Sequence, residues 1–128
     1  MARPPQVDPV KGRAAVDEAL RTLDTLGAVG IEPAVLSTAV RYFAGLLRER
    51  APGHSVEVRI PGMSGTAFQC GDGPQHTRGT PPNVVETDPI TFVELCMGRI
   101  EWTAAVATGA VRASGGRADL SPLLPVIG

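Results

Sequence analysis

Apolar residues recur at helical spacing along the first third of the chain, and the period then changes to two. Val16, Ala19, Leu20, Leu23 and Leu26 share one helical face, with Asp17, Glu18, Arg21 and Asp24 largely opposite. Asp8-Pro9 supplies the start of this helix, an acceptor side chain at the cap followed by proline in the first turn, and Gly27 and Gly30 end it. Residues 1–8 read as a loose arm ahead of a single domain over 9–128. Glu32-Pro33 opens a second helix, where Leu36, Val40, Phe43 and Leu47 form an amphipathic stripe with Leu46 beside it. Its last turn carries Arg48 and Arg50, which suit the negative end of the helix dipole, and Pro52-Gly53 stops it.

Alternation begins at Ser55. Val56, Val58 and Ile60 point one way, and Ser55, Glu57 and Arg59 the other, which predicts a strand with one wet face. GMSG at 62–65 turns the chain, and TAFQC returns with Phe68 and Cys70 on the apolar side, so the pair reads as a hairpin. After the GDGP turn at 71–74, His76 to Arg78 suits a third strand, and Pro81-Pro82 ends the ladder or lies at an edge. Residues 83–86 form a short strand with Val84 and Val85 on opposite faces. Asp88-Pro89 repeats the helix-start signal, so Asp88 reads as an N-cap rather than a catalytic acid.

The helix over 89–97 is apolar nearly all round, with only Thr91 and Glu94 polar inside it. Such a helix is either deeply buried or lines an apolar cavity. Gly98 ends it. A short helix over 101–108 presents Trp102, Ala105 and Val106, and Gly109 closes it. AVRAS follows as a strand with Val111 and Ala113 inward, and Gly115-Gly116 turns the chain. The tail places Leu120, Leu123 and Leu124 at near-helical spacing, cut short by Pro122 and Pro125. Segregated strands and helices argue for an α+β fold, with helices covering a largely antiparallel sheet.

Composition narrows the function classes. A net charge of −1 gives no basic surplus for nucleic acid. Lys11 is the lone lysine beside eleven arginines, a bias of genome composition rather than of recognition. Cys70 and Cys96 show no C-x-x-C spacing and no clustering with His54 or His76, so they read as free thiols in a reducing cytoplasm, and no metal spacing includes either histidine. No apolar run approaches the roughly 18 residues of a membrane span, and the first residues carry no signal-peptide core. The expectation is a soluble cytoplasmic protein without stable membrane insertion. No Ser-His-Asp arrangement, phosphate loop or G-x-S-x-G elbow occurs, so no catalytic residue, metal or cofactor is assigned.

One pattern carries more. Gly98, Trp102, Ala105, Gly109, Val111, Gly115 and Leu120 set out a Trp-bearing short helix, a glycine, a G-x-V-x-A-S-G strand and a Leu-rich end. With HTRGTPPNVVETDP at 76–89, this resembles the sterol carrier protein family, in its small stand-alone bacterial branch, common in actinobacteria. The resemblance is good over 76–124 and looser over the hairpin. It implies a five-stranded sheet covered on one side by helices, with an apolar tunnel between them, and non-catalytic binding of fatty acyl chains, sterols or other apolar molecules. A related domain looks to be fused to mycothiol-dependent enzymes as an accessory. Eukaryotic carriers often end in a peroxisomal address, whereas this chain ends in PVIG. The proline-broken tail is also short for a lid.

Candidate cavity residues follow. Phe43, Leu47, Phe92, Val93 and Cys96 come from the two apolar helices, and Met97, Trp102, Leu120, Leu123 and Leu124 from the helix end and the tail. Each serves equally as ordinary core. His76 and Arg78, two apart, face one way on an extended chain and suit a carboxylate or phosphate head group, or else a solvated strand face. Glu86 is a cross-strand partner for Arg78. The expected function is non-catalytic binding or carriage of an apolar or amphipathic small molecule. The alternatives are an enzyme or enzyme accessory acting on a small anionic substrate through His76 and Arg78, or a protein-interaction module.

Overall fold

The computed structural model describes residues 6–62, 67–73 and 83–127. Helix α1 (Pro9–Leu26) and helix α2 (Pro33–Arg50) are followed by strands β1 (Val56–Arg59), β2 (Ala67–Cys70) and β3 (Val84–Thr87). Helices α3 (Pro89–Met97) and α4 (Trp102–Thr108) and strand β4 (Val111–Ser114) complete the set, and short 3-10 turns follow α1 and open the tail.

Both Asp-Pro starts act as the sequence predicts. The Lys11 amide donates to Asp8 Oδ2 at 3.0 Å. Asp88 takes the Thr91 amide on Oδ1 at 2.9 Å and the Thr91 hydroxyl on Oδ2 at 2.7 Å. Glu32, by contrast, makes no side-chain cap. Gly98 and Gly109 end α3 and α4 in the left-handed region, at φ 76° and 82°. There a side chain would be strained, so glycine fixes where each helix stops.

The sheet is mixed, in the order β2-β1-β3-β4, and has four strands among the described residues where five were expected. β1 pairs antiparallel with β2 and parallel with β3, and β3 pairs antiparallel with β4. The parallel pairing has a simple cause. Cys70 ends β2 opposite Val56, the start of β1, so a third strand entering from that end on the other side of β1 must run with it. The third strand expected over His76 to Arg78 lies outside the described residues.

One face of the sheet is covered. Val56, Val58, Phe68, Cys70, Val85 and Val111 form a continuous core with Val40, Phe43 and Leu47 of α2 and Phe92, Val93 and Cys96 of α3. Phe68 and Phe92 meet edge to face at 6.0 Å between sheet and helices. On the opposite face Glu57 and Arg59 form an ion pair. Asn83, buried at the common end of β1 and β3, donates to the Ser55 carbonyl and accepts from the Arg117 amide, both at 2.9 Å.

Two inward assignments fail. Leu26 is 71 % exposed: it is the last residue of α1, where the chain turns through Ala28–Gly30 into α2. Ala113 is exposed although its register partner Val85 is buried, because β4 is the edge strand and the helices do not cover that end.

Candidate ligand-binding site

The site lies at the junction of α3, α4 and the tail. Gly98 lets the chain leave α3 sharply, with its backbone against the Pro125 ring. Ile100 and Glu101 lead into α4, whose first residue is Trp102. The tail then returns past them. The Val126 amide donates to the Cys96 carbonyl at 2.8 Å and buries the valine. Arg50, exposed at the end of α2, clasps the tail: Nη1 donates to the carbonyls of Leu123 at 2.9 Å and Pro125 at 3.0 Å, and Nη2 donates to Val126 at 3.1 Å. A planar fork suits three carbonyls presented by a bend. The Asp119 carboxylate accepts the Ser121 amide at 2.9 Å, and the Ser121 side chain first, then this amide, hold its pKa below the usual range.

These elements enclose an open groove of about 390 Å³. Leu95, Ile100, Trp102, Leu124 and Pro125 supply its apolar wall, and Glu101, Thr103 and Ser121 its polar edge. The Glu101 carboxylate makes no hydrogen bond or ion pair among the described residues. Arg99, two residues before it in the chain, is turned away to Asp24 at 2.6 Å, with Glu94 at 3.9 Å. The hydrogen bond to Asp24, together with the charge of both acids, raises the guanidinium pKa.

The ten candidate cavity residues separate. Trp102 and Leu124 line the groove. Phe43, Leu47, Phe92, Cys96 and Leu120 are buried in the core between helices and sheet. Met97 and Leu123 pack half-buried against that core. Val93 is core as well, and borders a tight apolar seam among α1, α2 and α3 that has no room for a water molecule. His76 and Arg78 lie outside the described residues. The sequence reading missed Leu95, Gly98, Ile100, Glu101, Thr103, Ser121 and Pro125. The Gly-Arg-Ile-Glu-Trp step could have flagged the bend between α3 and α4, but the return of the tail beside it is a tertiary fact.

Burial raises both thiols by desolvation, Cys70 to about 11 and Cys96 further still, so neither is a nucleophile at neutral pH. Both are free. Among the described residues no helix is long and apolar enough to cross a membrane.

The family model described as bacterial SCP ortholog, SCP denoting sterol carrier protein, matches residues 32–126. The chain belongs to this family. The match takes in α2, the whole described sheet, α3, α4, the groove and most of the tail, and begins one residue before α2. Helix α1 lies ahead of it and is held by Val16 and Ala19 in the core and by the Asp24–Arg99 pair. A comparison with curated proteins finds no match to the chain.

Proposed function

We propose that this sterol carrier protein family member binds the apolar part of an amphipathic small molecule in the α3–α4–tail groove and carries it without chemical change. The observation behind the proposal is the groove itself: about 390 Å³, walled by Leu95, Ile100, Trp102, Leu124 and Pro125. That volume falls within the range of ligand sites, and a wall of this kind with a few polar groups at one edge is their usual composition. Removing apolar surface from water gives about 25 cal/mol per Å², so an acyl chain or ring gains by lying against this wall. Thr103, Ser121 and Glu101 leave the polar edge for a head group. The proposal moves the binding place from the space between sheet and helices, which Phe43, Phe68 and Phe92 fill, to the outer side of α3 and α4. It places the carrier in the cytoplasm, in keeping with two free buried thiols.

Trp102 is the only tryptophan, so its emission reports on the groove alone. Titration with dodecanol below its solubility limit is expected to give a saturable blue shift. Thr103→Phe, which fills the mouth of the groove from an exposed position, is expected to weaken binding at least about tenfold, a cost of about 1.4 kcal/mol, with no change in the unfolding midpoint. The absence of a saturable shift in the native protein would overturn the proposal.

A further inference from the structure

The charge pattern around the groove carries a second step, which rests on the binding reading above. The groove's one ionisable lining residue is Glu101, and its carboxylate is unengaged among the described residues. Among the described residues, the flanking cations Arg99 and Arg50 are committed elsewhere. Arg99 holds Asp24 and Glu94, and Arg50 spends both terminal guanidinium nitrogens, Nη1 and Nη2, on the carbonyls of Leu123, Pro125 and Val126. On the tail side Asp119 lies against Ser121, which is also a groove residue. Among the described residues around the groove, Arg50 and Arg99 therefore stand against the carboxylates of Asp24, Glu94, Glu101 and Asp119. The opening amides of α4 offer some positive potential, but a helix of seven residues supplies at most a partial charge there, against the full charge of Glu101.

We infer that the groove selects amphiphiles with a cationic or uncharged hydrogen-bond-donating head, and disfavours a free carboxylate, with Glu101 as the specificity-determining residue. The apolar part lies along Leu95, Trp102 and Leu124. The head sits at the edge made by Glu101, Thr103 and Ser121, where an ammonium meets the carboxylate and a hydroxyl donates to it. A carboxylate head at the same place meets like charge, and among the described residues the guanidinium groups of Arg50 and Arg99 are already engaged.

The test uses one chain length and three heads, dodecylamine, dodecanol and dodecanoate, each titrated below its critical micelle concentration against the full chain and followed by Trp102 emission. The expected order is amine, then alcohol, then carboxylate, with each step about two- to fivefold, the size of a solvent-exposed charge interaction. Raising the salt from low to near-molar should compress the order, because exposed charges are screened. Glu101→Gln should bring the three affinities together, and Glu101→Lys should reverse the ends of the series. Both substitutions lie at an exposed position and leave the apolar wall intact. If none of the three binds, the binding proposal itself fails. If dodecanol binds but dodecanoate binds as well as the amine or better, or if Glu101→Gln leaves the order unchanged, the groove is a binding site and the inference about its head group is wrong.

Discussion

Removing the Arg50 guanidinium should release the tail, and the structure sets the size of the effect. Three hydrogen bonds run from one side chain to the carbonyls of Leu123, Pro125 and Val126. A hydrogen bond to a charged group contributes about 1.5–3 kcal/mol when buried. Arg50 is exposed, and only the bond to Val126 is part-buried, so solvent takes back much of this. A total of about 1–2 kcal/mol is therefore expected for Arg50→Ala, nearer one good bond than three. The loss is local before it is global. The tail is otherwise held by the Val126 and Ile127 amides on the Cys96 carbonyl and by burial of Val126. Hydrogen exchange at these two amides should quicken by about tenfold in the variant, the factor that corresponds to 1.4 kcal/mol, while amides of β1 and β3 change less. Arg50→Lys should behave almost like the alanine variant, since an ammonium cannot span three carbonyls as the fork does. Because Leu124 and Pro125 form part of the groove wall, both variants should also weaken dodecanol binding. Unchanged exchange at Val126 and Ile127 in Arg50→Ala would refute the clasp and with it the account of how that wall is held.

Other expectations follow from single contacts. Asp88→Ala should lower stability by about 1–2 kcal/mol in denaturant melts, through loss of the cap on α3 and of the partner of the Thr91 hydroxyl, with dodecanol affinity unchanged. Gly12→Ala should destabilise by about 1–2 kcal/mol despite the helix preference for alanine, because the new methyl overlaps the Tyr42 ring. The same change in a Tyr42→Ala background should become neutral or favourable, and a double-mutant cycle without coupling would disprove the contact. Native protein at pH 8 should leave both thiols unmodified by a thiol reagent that reacts fully in denaturant. Stability should fall as pH rises from about 9 towards 11: the unfolded thiols ionise at about 9, Cys70 in the fold at about 11 and Cys96 higher, so the folded state is favoured fully only below this window. Flat melting behaviour across that window would contradict the burial of the thiols.

Much of the architecture was legible in local chemistry. The two Asp-Pro pairs gave both caps because proline and an acceptor side chain act within a single turn. The glycines after Met97 and Thr108 gave the two helix ends for an equally local reason. The all-round apolarity of α3 correctly signalled burial, since sheet, α2 and tail each cover part of it. What it could not signal was whether that burial leaves a cavity. Phe92 fits a tunnel wall and a packed layer equally well in sequence, and only the Phe68 ring opposite decides for packing. The parallel pairing of β1 with β3 was hidden because the order of strands in a sheet is set by which side of β1 the chain returns to, and no residue encodes that side. Arg50 read correctly as a last-turn cation, yet its actual partners lie in the tail, more than seventy positions on. The groove escaped for the same reason: Leu95, Trp102 and Leu124 are brought together by a tertiary contact, whereas the sequence pattern groups residues by the element they belong to.

Backbone amide shifts during a dodecanol titration test the central claim most directly. The account places the ligand on the outer side of α3 and α4, so saturable shifts should concentrate at residues 95–103 and 121–126. The amides of β1 and β3, which flank the packed layer of Phe68 and Phe92, should move little. Shifts centred instead on Val56, Val58 and Val85, with the groove residues silent, would show that the core opens to admit the ligand between sheet and helices, and would contradict the account.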